Sequence, residues 1–290
     1  MLSHQAYGKS RVRLLLVLRP GAQHEPRDLT FDVRLAGDFE PAYSGGDNRR
    51  VLPTDTIKNT IYALARLDPP ESVPDFAILL ARRFLDRLPH VSTARVEVEE
   101  RPWRRIESKG VPHAHAFAGT ASERATCCAD VSRDAIRIEC GIRGLDLLRT
   151  TGSGFAGFLR DEYTTLAETA DRVLATSIEA AWAFARPDVD YAAAEESVRR
   201  ALVETFADET SRSLQQLAYA MGRAVLARCP AIAEIRLRLP NLHHVRVDLG
   251  PFGLTNPDEV YAPASEPFGV IEATLQATPS AGAESAGPRR

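Results

Sequence analysis

The chain is short of lysine. Of its 36 basic residues only Lys9, Lys58 and Lys109 are lysines, so a lysine here is not surface filler by default. A net charge of −3 gives no reason to expect nucleic acid or an anionic membrane as a partner. Cysteine is scarce too. Cys127, Cys128, Cys140 and Cys229 form no C-x-x-C pair and no His/Cys cluster with zinc spacing. Reduced thiols in a cytoplasmic protein are the expectation. No stretch approaches transmembrane length, and the apolar run at 14–18 is too short for a signal peptide. The closing Gly-Pro-Arg-Arg is not a peroxisomal address. Cofactor motifs are missing as well. Gly152-Ser153-Gly154 leads into no dinucleotide, P-loop or kinase pattern, and no Gly-x-Ser-x-Gly elbow occurs.

What is present is ordinary globular material: 290 residues, 44% hydrophobic and 26% charged, enough for one large domain or two of usual size. Residues 11–18 and 29–35 read as paired strands. Helical spacing follows over 56–67 and 74–88, then a half-buried strand over 94–101, where Val96 and Val98 alternate with Glu97 and Glu99. Residues 113–117 are expected to begin its partner strand. A hairpin over 125–131 and 135–143 turns at Ser132-Arg133-Asp134. Helices are predicted near 165–185, 191–206 and 213–228, then strands over 234–239 and 245–249. Each half thus reads strand–strand, helices, strand–strand, with a divide at 122/123. Residues 276–290, rich in Ala, Gly, Ser and Pro, read as a disordered tail. Strands grouped around helices argue for an α+β fold with antiparallel sheets. Open sheet edges would be closed by oligomerisation.

The best-equipped segment is Thr54-Asp55-Thr56-Ile57-Lys58-Asn59-Thr60. Its first residues are all capping types at a predicted helix start, where unpaired N–H groups make a site for an anion. Other candidates are ambiguous alone. His113-x-His115 could be a metal pair or a polar surface pair. His243, in Asn241-Leu242-His243-His244, could be a general base or a turn residue. Phe155, Arg172 and Gln215 fit core packing, helix surface and helix first turn respectively.

Together the segments are more specific. Tyr7-Gly8-Lys9, Asp47-Asn48, the Thr54–Thr60 run, Phe158-Leu159-Arg160-Asp161-Glu162-Tyr163-Thr164-Thr165-Leu166, Asp171-Arg172, Ser213-Leu214-Gln215 and Leu239-Pro240-Asn241-Leu242-His243 stand in the order and spacing of the urate oxidase (uricase) family, which the chain resembles over about residues 7–275. Leu242, His244 and Ala156 depart from some relatives at positions without an assigned role. The resemblance implies two tunnelling folds (T-folds) per chain, with helices packed on one side of each sheet. They would assemble as a homotetramer around a tunnel. It implies conversion of urate, O2 and water to 5-hydroxyisourate and hydrogen peroxide with no metal or organic cofactor. Lys9, Thr54 and His243 would relay protons. Arg172 and Gln215 would grip the urate edge, a task that suits their planar two-point hydrogen bonding. Phe155 would stack under the ring, and backbone N–H groups of Asp55 and Leu214 would add contacts. Asn241, with Thr54, would hold oxygen or water over the ring. Lys9, Thr54 and Asp55 would come from one subunit and the rest from its neighbour. The alternatives are another T-fold enzyme of pterins or purines, some of which use zinc, and a non-catalytic purine-binding relative.

Overall fold

The computed structural model describes residues 2–69 and 71–278, with the side chain of Ser265 left aside. In chain order the strands and helices are β1 (Ala6–Leu18), β2 (Glu25–Gly37), the short α1 (Glu40–Gly45), α2 (Thr54–Leu67), α3 (Val73–Arg87) and β3 (Val91–Arg101). A small hairpin, β4 (Trp103–Ser108) and β5 (Val111–Gly119), precedes β6 (Arg124–Ser132) and β7 (Ile136–Arg149). Then come β8 (Leu174–Phe184), α4 (Tyr191–Asp208), α5 (Leu214–Arg228), β9 (Ile232–Arg246) and β10 (Tyr261–Gln276). Among the described residues eight strands form one sheet in the order β1-β2-β3-β6-β7-β8-β9-β10, every neighbouring pair antiparallel.

Period-two burial explains the layering. Phe31, Val33 and Leu35 on β2, Val96 and Val98 on β3, and Ile178, Ala180 and Trp182 on β8 are buried. They meet Ile57 and Ile61 of α2, Phe76, Leu80 and Phe84 of α3, Val198 and Leu202 of α4, and Leu217, Met221 and Val225 of α5 in one core. On the strands, alternate positions carry charge instead. Arg95 pairs with Glu97 and Asp130, Arg236 with Glu139 and Glu234, and Arg238 with Glu179 and Glu272. Arg95–Glu97 and Arg236–Glu234 lie along one strand, and the other four cross between strands. Each adds little stability by itself, about 0–1 kcal/mol, but they keep this face polar.

Strand–strand–helix–helix–strand–strand runs from β1 to β6 and again from β7 to β10, setting aside α1 and the β4–β5 hairpin. The helices over α2, α3, α4 and α5 and the β6–β7 turn lie where the sequence predicts them. Four expectations fail. The helix predicted near 165–185 is an irregular segment followed by β8. Ala175, Ala180, Ala181 and Ala183 suggest a helix by propensity, but a place between β7 and β9 in the sheet overrides it. Residues 113–117 lie in β5 and pair with β4, whereas the partner of β3 is β6. β9 runs unbroken through Pro240 and ends at Arg246, so Asn241 and His243 are strand residues and not a turn. Pro240 faces Val270 of β10, while the β8 register skips from Asn241 to Arg238, as the missing proline N–H requires. Finally, β10 is not among the predicted strands, and it takes Gln276 from the expected tail; residues 279–290 lie outside the described residues.

Two further expected results arise here. Gly8 lies so close to β2 that a Cβ would stand 1.7 Å from the Val33 carbonyl oxygen. Because both are backbone, Gly8→Ala should cost about 3 kcal/mol or more, read as a lowered urea midpoint. The second concerns the layer where Arg27 forks onto Glu100 (2.5 and 3.0 Å) and Arg199 onto Glu123 (both 3.0 Å). Burial, with help from Glu100, pushes the nearby Glu195 carboxyl up to about 7, and Arg27 opposes the shift. The folded chain therefore holds this proton more tightly than the unfolded chain. The stability it contributes is present in full below about pH 4.5 and is lost as pH rises through about 7. Glu195→Gln cannot ionise, so its melting temperature should exceed that of the wild type at pH 8 and match it near pH 4. An equal difference at both pH values would contradict this.

Candidate active site

The predicted site residues gather in two groups. The first is at the β1 edge of the sheet. Lys9 lies on β1, opposite Val33, just before a register shift at which Arg11 adopts a φ of 57°. Tyr7, two residues earlier, accepts a 2.8 Å hydrogen bond from the Leu52 N–H and packs edge-on against Phe39. That bond draws the chain entering α2 down onto β1. α2 then starts with Pro53 in the cap position and no side-chain cap. Proline suits this place, since an N-terminal residue has no helical use for an N–H. So Thr54, expected to cap the helix, does not; it is the first helical residue, exposed, with its hydroxyl unused for capping. Asp55 follows, its carboxylate bound to Lys58 Nζ (2.5 Å) and Asn59 Nδ2 (3.0 Å). These partners leave the first-turn backbone as the anion-facing feature. The Asp55 carboxyl is held below its usual range, first by Lys58 and in smaller part by the charge of Lys9. Lys9 therefore lies within electrostatic reach of the α2 start.

The second group lies around β8, β9 and α5. Phe155 bridges to Thr169 through paired backbone hydrogen bonds (2.8 and 3.0 Å). The Arg172 guanidinium carbon is 5.7 Å from the centroid of the Phe155 ring. Arg172 lies in the segment before β8 and not in a helix as expected. Burial alone shifts its pKa, downward, and its Nε is buried without a hydrogen-bond partner among the described residues. A half-buried cation with no counter-charge is costly unless an anion fills the place. Ser213 caps α5 by accepting from the Gln216 N–H at 3.1 Å, so Leu214 and Gln215 open the helix. Asn241 of β9 lies opposite Thr176 of β8, and His243 opposite Ala264 of β10. Thr176, which is not among the predicted site residues, is wholly buried, and its hydroxyl has no hydrogen-bond partner among the described residues; a threonine in a segment with helical propensity carries no signal of this.

Six neighbour steps separate β1 from β9 in the sheet order, about 29 Å along the sheet at roughly 4.8 Å per step. One chain thus brings Lys9, Thr54 and Asp55 together. It also sets Arg172 over Phe155, with Leu214 and Gln215 opening α5 and with Asn241 and His243 on β9, next to β8, but the two groups lie toward opposite ends of the sheet. His113 and His115 belong to neither. They are on β5, rings 4.6 Å apart, with His24 beyond them at 5.9 Å and Arg19 against its ring. Among the described residues no three His, Cys, Asp or Glu side chains converge as a metal site would need.

The doubled strand–strand–helix–helix–strand–strand order, with its helices on one face of an antiparallel sheet, defines a tunnelling-fold protein. The family model described as Uricase matches residues 5–130 and 138–272. The uricase of Arthrobacter globiformis is 45% identical over 276 residues, covering 95% of this chain and 90% of its own. That of Oryctolagus cuniculus is 37% identical, covering 93% and 92%. The crystal structure of the Arthrobacter globiformis uricase superposes with a TM-score of 0.89 at 44% identity, covering 99% of this chain and 98% of its own. The chain belongs to the uricase family.

Proposed function

We propose that this enzyme oxidises urate: urate, O2 and water become 5-hydroxyisourate and hydrogen peroxide, with no metal or organic cofactor. The observation that carries the reading is Arg172, a half-buried cation with no ion pair among the described residues, set over the Phe155 ring, whose segment is bonded to Ser211 just ahead of α5. A flat anion with hydrogen-bonding edges is what such a slot accepts. Arg172 and Gln215 bind the urate edge, Phe155 stacks beneath the ring, and the Leu214 N–H adds a contact. The Asp55 N–H reaches the ring from a second copy of the chain. Lys9 and Thr54 of that copy and His243 of the first carry protons away from urate. Once deprotonated, the electron-rich ring can give an electron to oxygen, so the protein supplies proton removal, placement and charge stabilisation. Asn241, with Thr54, holds oxygen or water above the ring.

The shared site is supported by the distance between the two residue groups and by the unpaired edges of the sheet. β1 exposes Leu15 and Val17, and β10 exposes Phe268 and Val270, which a closed ring of chains would cover. A homotetramer around a tunnel satisfies this. We place the junction of the two tunnelling-fold halves between β6 and β7, a few residues beyond the 122/123 divide, a reading supported by the pairing of β6 with β3 and by the break between the matched stretches at 131–137. A cytoplasmic setting suits the four free thiols, and no helix among the described residues is long and apolar enough to cross a membrane.

Oxygen uptake on adding urate tests the function directly. Uptake should equal the urate consumed and persist after exhaustive chelation. No uptake would end the proposal. Loss of uptake on chelation would point to the metal-dependent tunnelling-fold alternative, with His113 and His115 as its first suspects.

A further inference from the structure

We infer that Arg149 is a positioning residue: by holding Ser211 it sets the gap between the Phe155 platform and the start of α5, and so the fit of the bound ring. The inference rests on the site proposed above.

Arg149 is the last residue of β7. Its Nη1 donates to the carbonyl oxygens of Phe206 (3.1 Å) and Glu209, and its Nη2 to the Ser211 hydroxyl (2.5 Å). The guanidinium also lies over the Phe206 ring, 5.5 Å from its centroid. Phe206 and Glu209 are at the C-terminal end of α4, where unpaired carbonyls and the helix dipole favour a cation. Arg149 thus ties the end of α4 to the strand that leads into the Phe155 segment.

Ser211 is where the grip is assembled. It is 2% exposed. Its N–H donates to the Gly152 carbonyl (3.0 Å) and its carbonyl accepts from the Gly154 N–H (2.9 Å). Phe155 follows Gly154 at once, and Ser213, the cap of α5, is two residues beyond Ser211. One buried serine therefore fixes the stacking platform on one side and Leu214 and Gln215 on the other. The third arm is Asp171. It accepts from the Thr151 hydroxyl, the Ser153 N–H (3.1 Å) and the Arg172 N–H (3.0 Å), which fastens Arg172 to the same segment. Burial lowers the pKa of Arg149, while the charges of Asp171 and then Glu209 raise it, so cation and carboxylate sit near each other. Their bonds go to the segments that carry Phe155, Arg172 and the start of α5.

Positioning predicts a particular kinetic pattern. Loosening the slot weakens ring binding, while Lys9 and Thr54, supplied from the other copy, still act once urate is bound. Arg149→Gln should raise KM for urate about ten-fold and lower kcat less than about three-fold. Ser211→Ala, which removes only the hydroxyl acceptor, should raise KM in the same direction by a smaller factor. Leu80→Ala in α3 is the control: it lowers the melting temperature from a distant part of the core and should leave KM unchanged. The inference is overturned if folded, assembled Arg149→Gln keeps the wild-type KM, or if Leu80→Ala raises KM as much. Should Arg149→Gln fail to fold, Ser211→Ala decides, and an unchanged KM there overturns it equally. Wild-type protein without urate-dependent oxygen uptake would sink the site itself; an active wild type with indifferent variants would sink only the role of Arg149.

Discussion

Lys9→Met is expected to lower kcat for urate by about a thousand-fold, the middle of the range for removing a proton-transfer group, while KM changes little. Methionine keeps the length of the side chain and loses the amine. Lys9 is placed beside the α2 start by the Tyr7–Leu52 hydrogen bond and by the close passage of β1 over β2 at Gly8, and methionine disturbs neither. Folding should therefore survive. Lys109→Met, in the turn between β4 and β5, is the control and should be fully active. Oxygen electrode traces over a range of urate concentrations separate kcat from KM. A Lys9→Met protein with normal kcat would remove Lys9 from the relay without touching the urate assignment.

Arg172→Gln should fail differently. In the proposed site it removes the charge that would balance the urate anion and one of the two planar edge partners, so kcat/KM should fall by about a hundred- to a thousand-fold. Most of the loss should appear in KM. Glutamine lacks the charge whose burial costs the empty site, so the variant should melt no lower than the wild type. The two variants together test where the site is built. If Lys9 and Arg172 act across a two-fold interface, dissociating and reassociating an equal mixture restores one sound site in each mixed pair. Random pairing gives about a quarter of wild-type activity. No recovery would mean that each chain builds its own site.

Much of this was legible in the sequence because it is local. Apolar spacing located α2, α3 and α5, and Ser132-Arg133-Asp134 marked the β6–β7 turn. Short strings around Lys9, Thr54, Arg172, Gln215 and His243 pointed to the family. What escaped is non-local. β8 resembles a helix until β7 and β9 flank it. β10 was invisible because Pro263, Pro267 and Gly269 interrupt its pattern, and only the register against β9 makes it a strand. Pro240 and Asn241 signal a turn in isolation and are held straight by Val270 and Gly269 across the ladder. Arg149 and Ser211 are 62 positions apart, and nothing in either neighbourhood announces the other. Thr54 shows the reverse case: its segment stands out in the sequence, but Pro53 occupies the cap position and the Thr54 hydroxyl does not cap the helix.

The strand-to-strand ion pairs of the sheet also bear on how substrate arrives. Arg95, Arg236 and Arg238 each have carboxylates within 4 Å on their own or nearby strands. Charges cancelled so locally cast almost no field past a Debye length, about 10 Å at 0.1 M salt. This paired face therefore does little to steer an approaching urate anion, unlike a charged funnel that draws anions in. Capture at short range falls instead to groups such as Arg172, whose Nε has no hydrogen-bond partner among the described residues.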